Sequence, residues 1–166
     1  CTVVIVTHDN RILDVADRII NMVDGYIVSN IVVQDAITIG NFLGQCEVFK
    51  DTSPTVIADV ANEMKLTRFR SGDTIISQGE EGDTFYLMRS GTVKVVREDG
   101  GSQAVLATLG MGDFFGELAL LKNEPRAASV IAVDDVQVYT LNKDSFDKAV
   151  SSSGNLVEQL KKSYFK

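Results

Sequence analysis

Apolar positions recur with a period that changes along the chain, and the changes divide it. The first apolar run, Thr2-Val3-Val4-Ile5-Val6-Thr7, is continuous and β-branched, the pattern of a strand buried on both faces of a parallel sheet. His8-Asp9 follows at its C-terminal end, where α/β sheets place ligand chemistry. Residues 11–17 carry Ile12, Leu13, Val15 and Ala16 in a short helical pattern. Residues 19–23 and 26–29 flank Asp24-Gly25, a dipeptide favoured in two-residue hairpins. Residues 31–45 have weak periodicity and two glycines, and read as a linker that packs against its surroundings.

Ser53-Pro54 is a helix cap followed by proline at a first helical position, and Val56, Ile57, Val60, Ala61 and Met64 mark one face of the helix. From Leu66 the period drops to two. Strands are expected at 67–70, 74–77, 84–89, 92–97, 104–109, 114–115, 127–133 and 136–142. Gly72-Asp73, Gly79-Glu80-Glu81-Gly82-Asp83, Ser90-Gly91, Asp99-Gly100-Gly101 and Gly110-Met111-Gly112-Asp113 punctuate them. Eight short strands at this spacing suggest a jelly-roll-type β-barrel. Phe85 with Leu87, and Val93 with Val95, are expected to line its interior. Asp144 caps a helix through Val150, Ser151-Ser152-Ser153-Gly154 breaks it, and Asn155 caps a last helix through Tyr164. Leu156, Leu160 and the Tyr164–Phe165 pair share the apolar side of that helix. The expected class is α+β: an eight-stranded barrel with flanking helices, and a short α/β fragment at the N-terminus. Residues 1–30, 31–48 and 49–166 form fragment, linker and main domain.

The candidate chemistry lies in 114–130, Phe-Phe-Gly-Glu-Leu-Ala-Leu-Leu-Lys-Asn-Glu-Pro-Arg-Ala-Ala-Ser-Val. Gly116 allows a backbone conformation that a side chain forbids. Glu117 to Leu121 are good helix formers, and the unpaired N–H groups of a first turn suit a phosphate. Pro125 stops the turn and pushes Glu124 extended, so that Arg126 opens a strand. The Arg126 guanidinium fork matches two phosphate oxygens, and Glu117, an acceptor only, suits a ribose hydroxyl. These residues read together as a pocket for a small sugar phosphate.

The same stretch, F-G-E-L-A followed by P-R-A-A, resembles the phosphate-binding cassette of cyclic-nucleotide-binding domains. That family includes the cAMP-dependent kinase regulatory subunits and the bacterial catabolite activator. The resemblance runs from Phe49 to Tyr164, and Gly79, Gly82 and Gly91 match the family's turn glycines. It implies that Arg126 and the Ala127 backbone N–H hold a cyclic phosphate, and that Glu117 and the Gly116 backbone hold the ribose 2′-OH. Leu118, Ala119 and Ala128 complete the cassette. Val105, Leu118 and Val130 are loosely assigned to the purine, against a plain reading as core. Tyr164 or Phe165, on a lid helix, is an aromatic suited to stack on the base, against simple packing on the barrel. Ala127, where the family's cGMP binders tend to carry Thr, implies cAMP over cGMP.

A second resemblance covers about thirty residues at the N-terminus. Thr-Val-Val-Ile-Val-Thr-His-Asp, Ala16-Asp17-Arg18-Ile19 and Asp24-Gly25-Tyr26-Ile27-Val28 resemble the end of an ABC-transporter ATPase domain. His8 falls on that family's switch histidine, which contacts the ATP γ-phosphate; the bland reading is a hydrogen-bonded residue at a strand end. The chain has no G-x-x-x-x-G-K-[ST] loop, no Walker-B strand and no signature motif, so ATP and its hydrolysis belong to a longer parent. The resemblance implies transporter membrane subunits and a second ATPase subunit as the parent's partners, and a cytoplasmic place beside the membrane. A homodimer is a further partner compatible with the sequence.

A net charge of −7 argues against general nucleic-acid binding, which needs a basic face, but not against one cyclic phosphate held by one arginine. No apolar run reaches transmembrane length. Cys1 and Cys46 make no disulfide framework, and one histidine is too few for a cupin-like metal site. The chain also lacks a nucleophile motif and a recognisable carboxylate pair. The expected function is therefore a non-enzymatic, cAMP-binding regulatory module on an ABC-type ATPase. The alternative is a degenerate barrel that serves as a ligand-free interaction or oligomerisation module.

Overall fold

The computed structural model describes residues 3–8 and 16–162. Strands β1 (Arg18–Val23) and β2 (Tyr26–Val32) pair antiparallel across Asp24-Gly25. Both turn residues have positive φ, 49° and 82°, as a two-residue hairpin turn with matching twist requires. Residues 3–7 are not a strand, which corrects the expectation of a buried parallel one. Val3, Val4, Ile5 and Val6 are exposed. A β-branched run becomes a strand only when a neighbour takes its backbone hydrogen bonds, and none of the described strands pairs with this one. The helical pattern expected at 11–17 falls largely outside the described residues; Ala16 and Asp17 are not helical.

The stretch read as linker contains helix α1 (Val33–Leu43). Tertiary packing made this helix. Ile39 and Leu43 are buried, Phe42 lies against Tyr139 at 5.6 Å, and Gly40 faces Ala61 of the next helix. Its glycine and β-branched residues lower its intrinsic propensity, so the sequence signal was weak. A 3₁₀ turn (Glu47–Phe49) leads to α2 (Pro54–Glu63), which starts as the sequence indicates. The Ser53 side chain accepts from Val56 N–H, and Pro54 stands at the first helical position.

Eight strands follow: β3 (Lys65–Phe69), β4 (Thr74–Ile76), β5 (Thr84–Ser90), β6 (Val93–Asp99), β7 (Ser102–Leu109), β8 (Phe114–Phe115), β9 (Ser129–Ala132) and β10 (Val136–Asn142). They form two four-stranded antiparallel sheets, ordered β3-β10-β5-β8 and β4-β9-β6-β7. Helices α4 (Lys143–Ser152) and α5 (Gly154–Lys162) end the described chain. Their caps sit earlier than expected. Asn142, not Asp144, accepts from Ser145 N–H, and Ser153, not Asn155, accepts from Leu156 N–H.

Two clusters make the core. Met88, Val93, Val130, Val136 and Val138 fill the space between the sheets. Phe85 and Leu87 do not join them, contrary to expectation; they face the helices, packing with Phe49, Val60, Phe146, Leu156 and Leu160. Both faces of β5 are buried, one by a sheet and one by helices, so alternation alone did not reveal which set pointed inward.

Candidate functional site

Phe115 ends β8, and Gly116 takes φ +87°, turning the chain into the short helix α3 (Glu117–Lys122). A Cβ on Gly116 would lie 2.7 Å from Arg126 Nη1 and 2.9 Å from the Thr84 carbonyl oxygen, so the position needs glycine for space as well as for φ. Helix α3 stops at Asn123, also left-handed, whose N–H donates to Ala119 O. Pro125 follows. Arg126, Ala127 and Ala128 lie in an irregular bend, and β9 begins only at Ser129, so Arg126 precedes the strand rather than opening it. The reason is pairing: Arg126 is bonded across to the 79–80 loop, where its N–H donates to Glu80 O and its carbonyl accepts from Gly79 N–H, each at 2.8 Å.

The Arg126 side chain is buried, with 7% of its surface exposed. Its Nη1 donates to Gly116 O at 2.6 Å and its Nη2 to Thr84 O at 2.8 Å. Two neutral carbonyls therefore orient the cation without neutralising it, and its remaining N–H groups stay available to an anion. Tyr86 lies under the guanidinium at 5.9 Å and is itself stacked on Phe115 at 4.9 Å. Gly82 closes the other side: a Cβ there would stand 2.9 Å from Arg126 Cζ and 2.5 Å from Ala119 Cβ. Burial pushes the Arg126 guanidinium below its ordinary value, while Tyr86, Asp83, Glu117 and Glu80 pull it back up.

Glu117 is the second buried charged group, also 7% exposed. It makes no ion pair with Arg126 among the described residues. Burial raises its carboxyl to about 7, against the smaller opposing effects of its own backbone N–H and of Arg126. A carboxyl so placed gains from a hydroxyl donor that satisfies its charged form.

The other predicted residues are distributed unevenly. Ala119 is buried against the Gly82 position, Leu118 and Ala128 are half-buried, and Ala127 is exposed next to Arg126. Val130 sits in the core between the sheets, whereas Val105 on β7 is 62% exposed. Tyr164 and Phe165 lie outside the described residues. His8 is exposed. Sequence reasoning missed Thr84 and Tyr86 as the supports of Arg126, since a backbone carbonyl and a ring face leave no motif. A cleft of about 440 Å³ lies elsewhere, lined by Ser77, Gln78, Glu98 and Gln103 among others, and its lining carries no cation to hold a phosphate.

A buried arginine with unspent donors, beside a buried carboxyl and inside a glycine-lined turn of a β-roll, has the donors and the acceptor to hold a small phosphate that also carries hydroxyls. The chain belongs to the cyclic nucleotide-binding domain family, which matches residues 66–153. It is 40% identical over 121 residues to the cAMP-dependent protein kinase regulatory subunit of Candida albicans, a match covering 73% of this chain and 25% of that protein. It is 39% identical over 127 residues to a cGMP-dependent protein kinase of Caenorhabditis elegans, covering 75% of this chain and 16% of that one. Among solved structures it resembles the regulatory domain of Toxoplasma gondii protein kinase A with cAMP, with a TM-score of 0.75 and 28% identity over 81% of this chain and 52% of that one. The Thermus thermophilus catabolite activator protein matches with a TM-score of 0.63 and 29% identity, covering 69% and 54% of the two chains.

Proposed function

We propose that this chain is a regulatory module that binds cAMP at Arg126 and Glu117. The observation that carries the reading is the buried Arg126, fixed by two carbonyls and left without an ionic partner among the described residues. A buried cation without a partner is costly, and a cyclic phosphate is a partner of matching charge and size. The ribose 2′-OH then donates to Glu117, and the Ala127 N–H adds to the phosphate contact. Leu118, Ala128 and Val105 border the bound nucleotide, and Tyr164 or Phe165, both outside the described residues, is the aromatic for the base.

One solved relative supports the choice of ligand. A regulatory subunit from Trypanosoma brucei is described as belonging to a cAMP-independent protein kinase A, and a triple mutant of it is bound to cAMP. The three substitutions introduce Ala, Arg and Ala, the second seven residues after the first and the third immediately after that. Ala119, Arg126 and Ala127 have that spacing here. Ala119 lies against Gly82 beside the guanidinium, where a longer side chain would fill the slot.

The reading is tested by calorimetric titration with cAMP and cGMP. Micromolar or tighter cAMP binding is expected, weaker for cGMP, and Arg126→Ala is expected to lose roughly 2–5 kcal/mol of binding energy. An unchanged dissociation constant in Arg126→Ala refutes it and favours a ligand-free interaction barrel.

We further read residues 1–30 as the end of an ABC-transporter ATPase domain, with His8 as its switch histidine. The apolar surface exposed by Val3, Val4, Val6, Met22, Tyr26 and Ile27 is of the kind a larger α/β sheet covers. On this reading the parent contains the ATP site and pairs with a second ATPase subunit and membrane subunits. ATPase activity of the natural full-length protein, measured with and without cAMP, tests it; no ATPase activity in that protein refutes it.

A further inference from the structure

We infer that β7 is a self-association edge, pairing antiparallel with β7 of a second copy of this chain about a two-fold axis at Ala104. The two β-roll sheets end in four edge strands, β3, β8, β4 and β7. An edge strand offers unpaired N–H and C=O groups to another chain, and proteins blunt such edges by shortness, charge or bulges. Here β4 and β8 have three and two residues, and β3 carries Lys65 and Arg68, with Arg70 just beyond it. Strand β7 has eight residues, Ser102–Leu109, none of them charged, and 102–108 are exposed. Its Val105 is 62% exposed and its Leu106 54%. One bulge interrupts it: Val95 pairs with Ala107 and Val96 with Val105, which leaves Leu106 unpaired. Regular pairing along the open edge is therefore confined to the stretch before Leu106.

The two sides of the β6–β7 ribbon differ. Strand β9 accompanies β6 only as far as Ser129 opposite Val96, so residues 97–99 and 102–104 continue as a two-stranded ribbon. On the β6 side the Gln78 side chain takes the place of the missing strand. Its Oε1 accepts from Glu98 N–H at 2.8 Å, and its Nε2 donates to Glu98 O at 3.0 Å. On the β7 side no hydrogen bond reaches residues 102–106 among the described residues. A two-fold interface must be its own complement. Residues 100–112 carry no charge in a chain of net charge −7, so no like charges meet where two β7 strands pair. Arg97 and Asp99 of β6 are bonded to each other. The β6 strands of the two copies lie three strand spacings apart, about 14 Å, beyond the ~8 Å screening length of physiological salt. An axis at Ala104 sets Ala104 opposite itself and Gln103 opposite Val105 of the second copy, and the ladder ends at the Leu106 bulge.

Sedimentation velocity of the chain from about 5 to 500 µM tests this, with a dimer expected to grow with concentration as mass action requires. Ala104 is exposed, so a charge placed there leaves the core alone. In Ala104→Lys or Ala104→Glu two like charges face each other about 5 Å apart, and each variant alone is expected to dimerise about tenfold more weakly. Mixed in equal amounts, the two variants are expected to regain association, because a lysine then faces a glutamate. A chain that stays monomeric over the whole range overturns the inference, as does a mixture no more associated than its components. Dimerisation equal in the unaltered chain and both single variants also overturns it, and assigns association to another surface such as the exposed β1–β2 hairpin. If the variants do not fold, amide hydrogen exchange of the unaltered chain decides. Protection of residues 102–106 that rises with concentration is expected; exchange independent of concentration overturns the inference.

Discussion

Replacing Glu117 by Gln is expected to stabilise the ligand-free protein at neutral and alkaline pH, and the gain should vanish in acid. The carboxyl is 7% exposed, and burial raises it from 4.5 to about 7. A folded-state value above the unfolded one means that the native fold prefers the protonated acid. The associated stability is fully present below about pH 4.5 and is lost as the pH rises through about 7. At 1.36 kcal/mol per pKa unit, the ionised carboxylate costs the fold about 3 kcal/mol at pH 8. Gln keeps the volume and an oxygen acceptor for the residue's own backbone N–H, but it carries no charge. Urea denaturation of both proteins without nucleotide, from pH 5 to 8.5, checks this. Every other titrating group is common to the two proteins, so the difference between their curves isolates residue 117. The difference should grow with pH toward about 3 kcal/mol, or roughly 6–12 °C in Tm for a chain of this size. A difference that does not change with pH, or a variant less stable than the parent at pH 8, would refute the reasoning. On the proposed function the same variant also binds cAMP more weakly, and its affinities for cAMP and 2′-deoxy-cAMP lie closer together than the parent's.

Gly82→Ala should destabilise by about 1–3 kcal/mol in denaturant titration and weaken cAMP binding, because the new methyl meets Ala119 Cβ and the Arg126 guanidinium. Leu160→Ala removes a fully buried side chain from between α5, α2 and the Phe85 face, and should cost about 2–5 kcal/mol by the same measurement. Asn142→Ala deletes the cap bond to Ser145 N–H at 2.9 Å and should cost about 1 kcal/mol. Ser53→Ala, whose cap bond is 3.4 Å, should cost less. Burial pushes the Cys46 thiol up to about 11, so peptide mapping should find it unmodified by a thiol reagent at pH 8 in the folded protein and modified in urea.

Much of the β-roll was legible in the sequence. The eight expected strands all occur, with ends displaced by a few residues. Their signals, turn glycines and period-two runs, act through local sterics that any surrounding structure must respect. Helix α1 was not legible because what supports it is the burial of Ile39 and Leu43 and the contact of Phe42 with Tyr139, supplied by other elements. The run at residues 3–7 failed in the opposite sense. Its propensity for a strand is high, but a strand also needs a partner, and β1–β2 pair with each other instead.

The site divides along the same line. Sequence alone determined that Gly116, Glu117, Pro125 and Arg126 fall within one short stretch, since their spacing is local and their chemistry is intrinsic to the side chains. It also determined the hairpin turn at Asp24-Gly25 and the start of α2 at Ser53-Pro54. Only the tertiary structure decided that Arg126 is held by Thr84, 42 residues away, that Tyr86 lies beneath it, and that its backbone is bonded to Gly79 and Glu80. It likewise decided that Glu117 is buried deeply enough to resist ionisation. Local rules depend on a residue and its near neighbours, so they survive any fold. Burial, desolvation and through-space charge depend on which distant segments the chain brings together.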